Sequence, residues 1–175
     1  MKRLFCLALV CMFAPIAAMA QDATANPLSA TLRRVFDREA KNLIATAEEM
    51  PVEKYKFSPT PEQMSFGKSI AHVAEVNNMA CSQFSDAPAP SGAKLTETDS
   101  KEKLVEGLKA SMDYCANAYS SLIDSKLSEM VTFFGRKATR LAVVLEVSND
   151  LIDHYSALAV YLRLNGMLPP SAQKK

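Results

Sequence analysis

The sequence predicts an all-α protein, a four-helix bundle with long crossover connections, and three observations predict it. Apolar residues recur at spacings of three and four in four separate stretches, the signature of helices that bury one face. No run alternates with a period of two for long enough to make a strand. The connections between the stretches are longer than an up-and-down bundle needs, which implies at least one crossover. With 175 residues, 49% hydrophobic and 22% charged, the chain suits a single globular core.

The first helix starts at Asn26-Pro27, where the Asn side chain suits the cap and Pro suits a position whose N–H has no helical partner. It runs to about Met50, striped by Leu28, Leu32, Val35, Phe36, Leu43, Ala47 and Met50, and Pro51 ends it. Ser58-Pro59-Thr60-Pro61 then reads as an extended crossing, because each Pro biases its predecessor away from helix. The second helix starts near Phe66, striped by Phe66, Ile70, Val73, Asn77, Cys81 and Phe84, and it dissolves in the loop 86–92. Asp99 and Glu102 resemble a capping box that opens the third helix, with Leu104, Leu108, Met112, Cys115, Tyr119 and Leu122 inward. Segment 124–136 breaks at Gly135, and Phe133-Phe134 suits a plug over one end of the core. The fourth helix runs from about Lys137 to Asn165, with Leu141, Val144, Leu151, Tyr155, Leu158 and Leu162 inward, and stops at Gly166 before Pro169-Pro170.

Residues 1–20 read as a signal peptide. Lys2-Arg3, an apolar run from Leu4 to Phe13 and the Ala18-Met19-Ala20 site predict cleavage after Ala20, which leaves a periplasmic or secreted domain of residues 21–175. Removing Lys2 and Arg3 from 20 basic residues leaves 18 against 19 acidic ones, so the mature charge is −1. That balance argues against nucleic acid as a partner. The short apolar run, interrupted at Pro15, argues against stable membrane insertion after cleavage. Five scattered Gly argue against a phosphate-binding loop. The expected partner is an unidentified small-molecule substrate, and a homodimer stays open.

Cleavage leaves Cys81 and Cys115 in a compartment that permits disulfides. If the second and third helices are antiparallel neighbours, a rise of 1.5 Å per residue separates the two by roughly 10–18 Å along the axis, beyond the reach of a bond. A disulfide therefore needs a shift or a parallel pair, and the alternative is two buried thiols.

Chemistry concentrates in few residues. The chain has two histidines, His72 and His154, each beside an apolar stripe. Glu146, Asp150 and His154 follow one another at i,i+4, so Asp150 and His154 share a helix face, where they would grip one cation. Two imidazoles and a carboxylate suit Zn, Ni, Fe or Mn. A histidine beside an apolar face is more commonly a packed boundary residue, and Glu146 reads as a solvated charge. No Gly-x-Ser-x-Gly elbow or C-x-x-C pair supports another chemistry.

The run from Met50 to Glu62, then Ser65-Phe66-Gly67 and Ile70-Ala71-His72-Val73-Ala74, resembles the entry to helix two of the DinB/YfiT-like family. Phe133-Phe134-Gly135, Thr139-Arg140, His154-Tyr155 and Val160 to Gly166 with Pro169-Pro170 resemble the final helix of its exported members. The resemblance spans the mature chain. It implies a four-helix bundle holding a divalent metal (Zn, Ni or Mn) through one His of helix two and two of helix four, in enzymes of hydrolase or thiol-transferase type. His72 matches the first ligand and His154 the last. The remaining ligand falls on Asp150, converting three His into two His and a carboxylate. The expected metal site is therefore His72, Asp150 and His154, with Tyr161 nearby as a core tyrosine or an orienting group. The alternative is a non-catalytic binding or structural module of the cell envelope whose metal site is vestigial.

An intact-mass measurement on secreted protein is expected to give the chain beginning at Gln21. Recovery of full-length chain in the membrane fraction would refute the cleavage.

Overall fold

The computed structural model describes residues 25–85, 87–91 and 94–174. The expected signal peptide and part of the loop 86–92 lie outside the described residues. Four helices, α1 (Pro27–Glu49), α2 (Phe66–Ser82), α3 (Lys101–Ser120) and α4 (Arg140–Leu164), form the bundle, and a hairpin of β1 (Met130–Phe133) and β2 (Arg136–Thr139) precedes α4. No helix of the described residues is long and apolar enough to cross a membrane.

The predicted stripes of α2 and α3 are buried at every position, from Phe66 to Phe84 and from Leu104 to Leu122. On α1 the core face is Leu32, Phe36, Ala40, Leu43, Ala47 and Met50, while Leu28 is 56% exposed. Leu141 of α4 is only half-buried, and Val144, Leu151, Tyr155, Leu158 and Leu162 enter the core.

The connectivity decides the packing. Arg33 donates to the Ser120 carbonyl, and Lys101 Nζ donates to the carbonyls of Glu48 and Met50, so α1 and α3 run antiparallel. The α2–α3 pair is parallel. A Cβ added at Gly67 would lie 3.5 Å from Leu104, Asn77 Nδ2 donates to Ser111 Oγ at 3.3 Å, and Cys81 bonds Cys115. The antiparallel arrangement that would have separated the cysteines is therefore absent, and their Cα atoms are 5.4 Å apart. The long segment after α2 returns the chain to the starting end of α2 before α3 begins, which is what a parallel pair requires. Helix α4 then runs back against α2, with the Tyr161 hydroxyl donating to the Met64 carbonyl oxygen.

Helix termini depart from the sequence reading in informative ways. Asn26 does not cap α1 with its own side chain. Instead its Oδ1 accepts from the Asp124 N–H at 2.9 Å, while the Asp124 carboxylate accepts from the N–H groups of Leu28 and Ser29 at 3.1 and 2.8 Å. This is a reciprocal cap assembled from two distant segments, and it satisfies donors that helix geometry leaves unpaired. Helix α3 is capped by Ser100, whose side chain accepts from Lys103 N–H; Asp99 sits one residue too early and accepts from Thr96 N–H. At the end of α4, Gly166 has φ +76°, and Met167 and Gly166 donate to the carbonyls of Leu162 and Arg163, the Schellman pattern.

The hairpin corrects the expectation of no strand and delays α4 from Lys137 to Arg140. Each strand has four residues, and among them only Phe133 is buried, so no apolar alternation marks them. Phe133 pairs with Arg136 across the two-residue loop Phe134-Gly135, whose φ values of 46° and 80° are the pattern of a type I′ turn. Phe133 fulfils the plug reading at 4% exposure, but Phe134, at 55%, does not. Thr139 caps α4 by accepting from Ala142 N–H, and the Arg140 guanidinium donates to the Phe84 carbonyl and to Glu129.

Replacing Cys81 and Cys115 by Ser is expected to lower unfolding free energy by about 3–4 kcal/mol, the chain-entropy value for a loop of 34 residues. Thiol titration of the unreduced mature chain in denaturant is expected to find no free thiol.

Asp124 offers an acid-side test. Burial raises its pKa, but the hydrogen bonds from Ser29 and Leu28 and the charge of Arg33 outweigh that and hold it below the usual carboxylate range. A folded pKa below the unfolded one contributes stability above the unfolded value, lost as pH falls through the folded value. Asp124→Asn is expected to melt a few degrees lower than wild type at pH 7, with the gap closing below about pH 3. A gap that persists at acid pH would show that the carboxylate charge is irrelevant to the cap.

Candidate metal centre

The site forms where α2 and α4 face each other. Ser65 caps α2, and its apolar stripe Phe66, Ile70 and Val73 is inserted in the core, which leaves His72 half-buried on the flank. On α4, Leu151, Tyr155 and Leu158 are buried, so the flanking positions Asp150 and His154 lie along the seam with α2. The two helices keep one antiparallel register. Tyr161 reaches Met64, His154 meets His72, and Asp150 and Glu146 share a cleft with Val76 and Ala80.

The imidazoles of His72 and His154 stand edge to face with ring centroids 5.2 Å apart. Asp150 Oδ1 lies 3.6 Å from His154 Nε2, longer than a hydrogen bond and close to the separation of about 3.3–3.5 Å between two ligands of one tetrahedral ion. Burial is the main influence on His154 and lowers its pKa. Asp150 opposes this, His72 adds to it, and Asp153 opposes it. The neutral ring, the form that ligates a metal, is thereby favoured. The donor types suit a divalent cation. Among the described residues, however, no group of three or more His, Cys, Asp or Glu side chains closes into a metal-holding arrangement. The convergence lies midway along α4, away from the bundle's ends.

A model of the DinB superfamily matches residues 35–158. The chain belongs to the DinB superfamily. Among solved structures, it is similar to a DinB-like protein of Bacillus subtilis at 19% identity, with a TM-score of 0.65, covering 83% of this chain and 99% of that one. A DinB-like protein of Bacillus cereus matches at 15% identity and TM-score 0.61, over 93% of this chain and all of its own (100%). A conserved protein of Enterococcus faecalis matches at 17% identity and TM-score 0.61, over 78% and 96%. At these identities the likeness concerns the fold. No curated protein matches the chain.

In this DinB-superfamily bundle, other singled-out residues have structural partners. Tyr161 is buried with its hydroxyl on the Met64 carbonyl, which makes it a core tyrosine. Glu146 is exposed, as a solvated charge should be, and both of its oxygens accept from Arg136 Nη2 at 2.8 Å. Arg136, beside the site, was not singled out by sequence, and Phe134 was read as part of a plug and not as a neighbour of the site. The signal for them is Gly135 between Val131-Thr132-Phe133 and Ala138-Thr139, a short hairpin pattern.

Proposed function

We propose that the mature protein is an exported divalent-metal enzyme of hydrolase or thiol-transferase type, with the ion held by His72, His154 and Asp150. One observation carries the reading: the chain's two histidines, from different helices, meet at 5.2 Å with Asp150 beside them. The positions that match the family's ligand pattern support it, and the Cys81–Cys115 bond is in keeping with an oxidising compartment. Three protein ligands leave coordination open, and an ion such as Zn, Ni or Mn supplies Lewis acidity to whatever binds there. The chain's own residues do the rest. The half-buried imidazoles present nitrogens from two helices, Asp150 supplies the one negative charge of the donor set, and the apolar side chains of Val76 and Val147 line the cleft beside Asp150.

Metal-stripped mature protein is expected to take up one Zn, Ni or Mn ion per chain by calorimetry. His154→Ala and His72→Ala should each weaken uptake at least about tenfold, or 1.4 kcal/mol. No uptake by the wild type, or equal uptake by both variants, replaces this reading with that of a non-catalytic envelope module.

A further inference from the structure

Beyond the histidine pair, the α2–α4 seam opens into a cleft of about 310 Å³ that ends at the hairpin tip. At about 30 Å³ per molecule it has room for about ten waters, which is the size of a small organic molecule. Val76 and Ala80 of α2 and Val147 of α4 form its apolar sides, and Asp150, next to His154, lies at its inner end.

Two features of the tip are unexplained by packing. Phe134 takes φ +46° at the first loop position, where Asn or Gly would be unstrained, yet it is 55% exposed and leans edge-on against Phe133 at 4.4 Å. A strained turn that holds a large aromatic residue at a cleft places that ring for contact with something else. Arg136 bonds Glu146 through Nη2 alone, with its guanidinium carbon 5.6 Å from the Phe133 ring centre. Its Nη1 has no hydrogen-bond partner among the described residues, which leaves that amino group free to donate to a carboxylate.

We propose that this cleft is the substrate-binding arm of the His72–His154 centre and takes a small aromatic carboxylate. The ring lies between Phe134 and the wall of Val76 and Val147, and the carboxylate accepts from Nη1 of Arg136. The proposal rests on the metal reading in one respect: Arg136 offsets the charge of Glu146, which also lines the cleft, and a bound ion offsets that of Asp150 at the inner end, which otherwise repels an anion.

The test uses mature protein with Zn, with 3-phenylpropanoate as the probe, followed by calorimetry and by backbone amide shifts of Val76, Phe134 and Val147. Saturable binding is expected, at least about tenfold weaker for 3-phenylpropanamide and for Arg136→Gln. Phe134→Asn should also bind at least about tenfold more weakly while melting at the same or a higher temperature, because Asn relaxes the turn; a purely structural role for Phe134 predicts the reverse. Equal binding of acid and amide, or undiminished binding by Phe134→Asn, overturns the proposal. Asp150→Asn removes the repelling charge without needing an ion. If wild type takes up no metal but Asp150→Asn binds the probe with the same dependence on Phe134 and Arg136, the cleft stands and the metal reading falls. If wild type takes up one ion per chain and neither protein binds the probe, the cleft falls and the metal reading stands.

Discussion

The register of α2 against its two neighbours governs everything else in this bundle. The Cys81–Cys115 bond fixes α2 beside α3 at one end, and the close approach of Gly67 to Leu104 and to Tyr55 fixes it at the other. Between them Asn77 reaches Ser111 and Met112 in the core. With α2 held lengthwise, its opposite flank presents a fixed ladder to α4, and each turn gained on α2 is a turn lost on α4. A slip of one turn, about 5.4 Å, would move His72 from His154 to the level of Asp150 or Leu158 and dissolve the site. The disulfide therefore helps to position a histidine pair that it does not touch.

The hairpin shows the complementary case of local strain held by surrounding structure. An L-residue in the left-handed region costs about 1–2 kcal/mol, and Phe134 has none of the local hydrogen bonding that makes Asn tolerable there. The offset comes from the hairpin's base and flank. Arg140 and Leu141 N–H donate to the carbonyls of Glu129 and Leu127, the Arg140 side chain grips Phe84 and Glu129, and Arg136 ties β2 to Glu146 on α4. The turn is thus determined from several directions at once, which is what lets an unfavourable residue sit at its tip.

How much of this was legible in the sequence depends on which physical property each feature uses. Helical stripes report which face is buried, and Ile70, Val73, Leu108, Met112, Leu151 and Leu158 read correctly for that reason. A stripe carries no direction. The parallel course of α2 and α3, and with it the disulfide, depends on how the chain between them travels, which periodicity does not encode. The distant cap between Asn26 and Asp124 was invisible for the same reason: a local motif shows only local partners. The hairpin escaped because its eight paired positions bury a single side chain. For the candidate site, residue types and helix faces were legible, as was the resemblance that places Asp150 at a ligand position. The common level of His72 and His154 needed the register.

Packing gives no account of why two imidazoles occupy that seam. Neither ring has a hydrogen-bond partner among the described residues, and an edge-to-face aromatic contact contributes only about 0.5–1.5 kcal/mol beyond its buried area. A leucine in either place would bury more apolar surface with no titrating group to desolvate. Burial lowers the His154 pKa, so the unfolded chain binds its proton more tightly than the folded one. Stability therefore declines as pH drops below the ordinary His range of about 6.5, and the decline ends below the lowered folded value. His154 thus opposes folding under acid conditions. What the pair offers is imidazole nitrogens from two separate helices beside one carboxylate, at the inner end of a cleft, and that is the feature on which the proposed function rests.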